Sequence, residues 1–98
     1  MKLKFDPRAE KSIKKFSDKD VAKVLEYIDL FEEFGFSLDQ RYLKKIRDSV
    51  WELRPKRIRL FIYKGAKSNV LVHVAYKKSQ KTSNKDLKII ESRIKQYA

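Results

Sequence analysis

The chain has no cysteine. Neither a disulfide framework nor a thiolate metal site can form. A lone histidine, His73, excludes a site built on several imidazoles. With two glycines there is no glycine-rich phosphate loop. No apolar run approaches the roughly 20 residues of a membrane-spanning helix. The opening Met1-Lys2-Leu3-Lys4-Phe5 lacks the apolar stretch of a secretory signal. The expected setting is cytoplasmic, with no membrane partner. Acidic residues are also in short supply, 13 against 25 Lys and Arg, which leaves a net charge of +12. A charge that high repels itself in the compact state. It suits an anionic partner, nucleic acid first, since cations on the protein release the counterions of a polyphosphate. A solvated basic surface is the plainer alternative. Hydrophobic residues make up 42%, too many for a disordered chain. The length of 98 residues suits one domain spanning 1–98.

The stretch from Val50 to Lys78 organises the rest. It reads as three consecutive strands: Val50 to Arg54, Arg57 to Tyr63, and Asn69 to Tyr76. Side chains on a strand alternate between faces. Trp51 and Leu53 point one way, Glu52 and Arg54 the other. Ile58, Leu60 and Ile62 form an apolar row opposite Arg57, Arg59, Phe61 and Tyr63. Val70, Val72 and Val74 form another, opposite Leu71, His73 and Ala75. Pairing these strands predicts one greasy face and one polar face. The polar face would carry Glu52, Arg54, Arg57, Arg59 and His73. Phe61 and Tyr63 on that face could stack bases or be covered by a helix.

The flanks supply helices. Leu3 and Phe5 alternate with lysines as a short edge strand, which Asp6-Pro7 ends. A helix follows from about Arg8 to Phe16. Ser17 is a suitable N-cap for a second helix, in which Val21, Val24, Leu25, Ile28 and Phe31 repeat on one face up to about Phe34. Gly35 stops it by accepting left-handed backbone angles. Phe36 to Ser49 reads as a connector, with Lys44, Lys45 and Arg47 as either loop solubilisers or phosphate contacts. Pro55-Lys56 and Lys64 to Ser68 are turns, with Gly65 available for a positive φ. A basic loop from Lys77 to Ser83 leads to a last helix carrying Leu87, Ile90, Ile94 and Tyr97. The order β-α-α-β-β-β-α predicts an α+β fold, with an N-terminal helical hairpin and a C-terminal helix packed on a small antiparallel sheet.

Metal-assisted phosphodiester cleavage needs clustered carboxylates, whereas Glu52 is the only acid between Val50 and Gln80. What remains is a cation-rich site that calls for no metal or other cofactor. Such a site suits RNA cleavage, because the 2′-hydroxyl can attack its own neighbouring phosphate. The protein must hold that attack in line and stabilise charge on the phosphate oxygens. It can also supply a base for the 2′-hydroxyl and an acid for the leaving oxygen. Glu52 beside Arg54 and Arg59 offers a base among cations, and His73, Lys77 and Lys78 offer donors. An ordinary solvated sheet with cross-strand ion pairs fits the same pattern. So does a basic module that binds nucleic acid or the ribosome without cutting, or one whose groove serves only an acidic protein partner.

At these residues the sequence resembles the HigB-like, phage Gp49-like branch of the RelE toxin superfamily. The shared signature is an aromatic-Glu-Leu-Arg strand, here Trp51-Glu52-Leu53-Arg54. Ile58-Arg59-Leu60-Phe61 matches the next strand. His73, followed by Lys77-Lys78-Ser79-Gln80-Lys81-Thr82, matches the end of the last strand and its basic loop. The resemblance spans nearly the whole chain. It implies a RelE-like fold and the toxin of a type II toxin–antitoxin pair, a ribosome-dependent, metal-independent mRNA endoribonuclease. Its partners would be mRNA in the ribosomal A site and a cognate HigA-like antitoxin of acidic or helix-turn-helix character. Carried over by motif, Glu52, Arg54, Arg59, Lys77 and Lys78 are the expected catalytic residues. Lys44, Lys45, Arg57, His73 and Lys81 are the expected RNA contacts. The chain departs from the signature at Ala75, where Phe is usual, and at Ser83, where Pro is usual. Tyr97 lies on an apolar helical stripe, away from the expected phosphate.

Overall fold

The computed structural model describes residues 1–98. Nine short elements follow one another. β1 is Leu3–Phe5, α1 Pro7–Ile13 and α2 Asp18–Phe34, followed by a single 3-10 turn over Gly35–Ser37. β2 is Leu43–Arg47, β3 Val50–Leu53, β4 Ile58–Lys64 and β5 Asn69–Tyr76, and α3 is Asn84–Ile94. The strands form one sheet in the order β1-β5-β4-β3-β2. Successive strands from β2 to β5 pair antiparallel across their short turns. β1 adds to the free edge of β5 in parallel, which the long connection between them, through α1, α2 and β2 to β4, permits. The α+β class holds, while the sheet is mixed and has one strand more than predicted.

That extra strand is β2, in the stretch read as a connector. Its only apolar residues, Leu43 and Ile46, stand three apart, which hides the period of two that marks a strand with one buried face. They face opposite sides of the sheet. Leu43 joins the core beneath the helical hairpin, and Ile46 packs toward α3.

Helix boundaries follow the capping chemistry. The Asp6 carboxylate accepts the N–H of Arg8 and Pro7 occupies the first turn of α1, a position where its missing N–H costs nothing. Ser17 and Ser83 cap α2 and α3, accepting from the N–H groups of Asp20 and Asp86. Gly35, at φ 61°, ends α2 as expected. Gly65 does not use a positive φ. A Cβ there would stand 2.5 Å from the Ser68 carbonyl oxygen, so the turn needs glycine for space. The left-handed angles fall instead on Ser49 and Lys56, the turn residues before β3 and β4.

Both sheet faces are covered, which the simple alternation does not predict. The hairpin face buries Ala9, Ile13, Val24, Ile28 and Phe31 against Leu53, Leu60, Ile62, Leu71 and Val74. The opposite face buries Val50, Phe61, Val70 and Val72 under Ile90 of α3. The valine row of β5 is therefore split. Ile62 pairs with Leu71 and Phe61 with His73, so Val72 is the extra residue of a β-bulge. Leu71 and Val74 turn to the hairpin, and Val70 and Val72 turn to α3. The Val72 carbonyl accepts a 2.7 Å bond from Arg93 of α3, so the helix that covers the bulge also binds it. No helix is long and apolar enough to cross a membrane.

Candidate functional site

The predicted polar face exists only where α3 leaves the sheet uncovered. Cross-strand register sets its first row: Lys44 opposite Glu52, Glu52 opposite Phe61, and Phe61 opposite His73. In the adjoining row Arg59 faces Ala75. The loop after β5 folds over this corner and encloses a cavity. Glu52, Arg59, Phe61, Ala75 and Tyr76 form its floor, residues 77–83 its rim, and Asp86 at the start of α3 closes it. A larger side chain than Ala75 would fill the floor beside Arg59.

Arg59 is the fixed cation of the site. It is 8% exposed. Its Nη1 donates to the carbonyls of Lys56 at 2.7 Å and Ile58 at 2.8 Å. The left-handed angle of Lys56 belongs to the turn that presents the first of these carbonyls. Burial pushes the Arg59 pKa down, Glu52 pulls it back up, and the Arg54 charge adds a smaller downward push. A guanidinium stays protonated regardless.

Glu52 is equally withdrawn from water, at 8% exposure. Its Oε1 lies 3.7 Å from Arg59 Nε and 3.2 Å from Arg54 Nε. The Arg54 N–H is not aimed at it, and this buried nitrogen has no hydrogen-bond partner. Oε2 accepts a long bond from the Thr82 hydroxyl at 3.4 Å. One carboxylate therefore sits between two guanidiniums and the rim loop. Arg54 stands behind Glu52 and outside the cavity lining, its Nη1 reaching the Gln40 carbonyl at 3.4 Å.

Lys77, Lys78 and Lys81 are exposed on the rim. The Lys77 N–H donates to the Arg57 carbonyl at 2.6 Å, which ties the start of the rim to the start of β4. Lys44 and Lys45 line an adjoining basin that shares Glu52, Lys81 and Thr82 with the first cavity.

Two expected RNA contacts lie elsewhere. His73 is buried under α3, its ring stacked on Phe61 at 5.6 Å and its Nε2 2.8 Å from Asp86 Oδ1. His73 shares the face of Phe61 and Glu52, as alternation predicts, but at a point that α3 covers. Arg57 precedes the first paired residue of β4 and opens onto a separate basin with Lys19, Lys23, Lys56 and Tyr76. Tyr97 lies away from the cavity as expected, with its hydroxyl donating to Asp6 at 2.7 Å.

Asp86 was missed by inspection of the strands, because it arrives from the helix. Its signal is the Ser83-x-x-Asp86 spacing of a helix start. Burial raises its pKa, but hydrogen bonds from His73 and Ser83 outweigh that, and the net shift is downward. His73 shifts down as well. Burial disfavours its cation, and the bond to Asp86 only partly compensates. At neutral pH the pair is a neutral imidazole donating to a carboxylate.

The cavity thus holds one immobile guanidinium, three mobile ammonium groups and two carboxylates. Fixed and mobile cations together suit an oxyanion whose charge grows during reaction. The family model described as Phage derived protein Gp49-like (DUF891) matches residues 11–95 of the chain. No curated protein matches it.

Proposed function

The chain belongs to the Gp49-like family of phage-derived proteins, and from that membership and the cationic cavity we propose that it is the toxin of a toxin–antitoxin pair. The family is associated with RelE-like and toxin-like proteins. The activity we assign is cleavage of mRNA on the ribosome, without a metal, by attack of a 2′-hydroxyl on the adjacent phosphate. The observation that carries this reading is the convergence of Arg59, Lys77, Lys78 and Lys81 on one cavity that also contains Glu52.

In the proposed reaction the scissile phosphate enters between Arg59 and the rim lysines. Arg59 is held by two backbone carbonyls, so it need not reorganise as phosphate charge grows. Glu52 takes the 2′-hydroxyl proton. The new bond forms between the 2′-oxygen and phosphorus, and the bond to the 5′-oxygen breaks. Lys77 or Lys78 gives a proton to that leaving oxygen. The products are a 2′,3′-cyclic phosphate and a 5′-hydroxyl end. Arg54 is a positioning residue that holds Glu52 from behind. Lys44, Lys45 and Lys81 guide the strand along the adjoining basin. The partner in this reading is a small antitoxin that covers the basic corner or blocks access to the ribosome.

The test is cleavage of mRNA on programmed ribosomes, with a 2′-deoxy substitution 5′ to the cut. Cleavage within codons that stops with the deoxy substitution is the expected result. Cleavage indifferent to that substitution overturns the mechanism. Tight ribosome binding without new 5′ ends favours a non-catalytic binding module instead.

A further inference from the structure

The basin beyond Tyr76 is a second basic surface, and it adjoins the first. Tyr76 is the residue that the two cavities share. It pairs with Ile58, so its ring lies on the hairpin side of the sheet, in the second basin. Arg57 lines this basin and Lys77 the first cavity, joined by the 2.6 Å backbone bond between them. Lys19, Lys23 and Lys56 complete the second basin with Arg57. Lys23 is already paired with Glu26 at 3.0 Å, which leaves Lys19, Lys56 and Arg57 for an anion. One carboxylate, Asp20, lies in the same basin, and the Tyr76 hydroxyl donates to it at 2.7 Å.

The Tyr76 ring is fixed from two sides yet exposed. Phe16 packs against it at 4.9 Å between centroids, and Asp20 holds its hydroxyl. Even so, 43% of the residue meets solvent. An immobilised, exposed aromatic beside one group of cations, at the strand end where the other group begins, can receive a base of a strand that runs from one cavity into the other. The geometry points to a second nucleotide subsite. Single-stranded RNA with its scissile phosphate at Arg59 and Lys77 stacks a flanking base on Tyr76 and sets the next phosphate against Lys56, Arg57 and Lys19. This subsite rests on the RNA reading above. Stacking tolerates any base, so it adds reach along the strand more than sequence preference.

The test uses RNA hexamers with a 2′-deoxy nucleotide at the attacking position, so that they are not cut, and a fluorescent 2-aminopurine walked along the strand. Quenching is expected at one position next to the cleavage point. Tyr76→Phe keeps the quench and the affinity. Tyr76→Leu abolishes the quench and weakens binding about tenfold. Should Tyr76→Leu unfold, the exposed pair Lys56→Asn and Arg57→Gln carries the test, since Asn accepts the left-handed angle at position 56. Together they lower the slope of log affinity against log salt by about 0.7, for one lost phosphate contact on a single strand. Binding that weakens with Arg59→Ala but ignores Tyr76→Leu and the Lys56/Arg57 pair overturns the subsite alone. Hexamers that fail to bind, or that bind regardless of all these changes, overturn the subsite, while the RNA reading stands or falls by cleavage on programmed ribosomes.

Discussion

Arg59 Nε stands 3.7 Å from Glu52 Oε1, with both residues 8% exposed. The two side chains sit at the centre of the candidate site and also hold its corner of the sheet together. Removing one member of a nearly buried ion pair leaves the other charge uncompensated. Arg59→Ala should cost about 1.5–3 kcal/mol of stability. It should also lower cleavage by roughly 100-fold or more, the scale seen when a fixed donor to a developing oxyanion is lost. Arg59→Lys should retain less than a tenth of the activity, because a single ammonium cannot reproduce the planar fork that meets two carbonyls and a phosphate. Urea unfolding alongside primer extension separates the two effects. Full activity in a folded Arg59→Ala protein would remove the site assignment.

His73 is the only histidine, so its imidazole resonance in an NMR titration needs no assignment. Its pKa should fall below 6.5, chiefly through burial. Asp86→Asn should lower it further, since Asp86 is the group that favours the cation. A base whose folded pKa is depressed binds fewer protons folded than unfolded. The stability it contributes is thus complete above about pH 6.5 and declines as pH falls through the folded value. His73→Gln should flatten stability against pH in that window. A titration midpoint above 6.5 would contradict the buried, neutral imidazole.

How much of this was legible in the sequence follows from which interactions are local. The strand and helix segments, the Ser17 and Ser83 caps and the Gly35 stop depend on neighbours in sequence, and they emerge from period and capping chemistry. Glu52 and Arg59 were found because alternation on adjacent antiparallel strands puts them on one face. The bulge at Val72 could not be found this way. A single inserted residue leaves Val70, Val72 and Val74 looking like one row, and only the partner strand shows where the ladder slips. Val70, Leu71 and Val72 take the opposite faces for that reason, while His73 keeps the face that alternation gives it and is hidden only because α3 covers it. β2 was missed because Leu43 and Ile46 serve opposite faces, and Asp86 because it reaches the cavity from a helix.

Asp6 joins the two ends of the chain. It is fully buried, caps α1, accepts two side-chain bonds from Arg8 at 3.0 and 2.7 Å, and accepts a third from Tyr97 at 2.7 Å. The Arg8 bonds hold its pKa far below the usual carboxylate range, against the opposite push of burial. A carboxylate depressed in the folded state adds stability that is complete above its unfolded value, near 4, and disappears as pH drops below it. Asp6→Asn should cost about 1.5–3 kcal/mol at pH 7 and should reduce the loss of stability between pH 4 and 2. Tyr97→Phe should cost about 0.5–1.5 kcal/mol. Neither change should alter cleavage, since the cluster lies away from the cavity. Thermal melts across pH, with primer extension at pH 7, check both claims.

Chelation distinguishes the proposed chemistry from the common alternative for phosphodiesters. A metal mechanism needs carboxylates free to converge on one ion. Here Glu52 faces Arg54 and Arg59, and Asp86 is taken by His73 and Ser83. No group of three or more acidic or histidine side chains lies within reach of a single ion. Placing a divalent cation beside Glu52 would set it against Arg59, which two backbone carbonyls prevent from moving aside. Cleavage by protein pre-treated with EDTA, assayed on ribosomes restored to their own magnesium, should therefore match the untreated rate within about twofold. The ribosome needs that magnesium, so the comparison is between treated and untreated protein on the same ribosomes. Activity that is lost on treatment and regained only when a transition metal is added back would replace the arginine-centred mechanism with a metal-centred one.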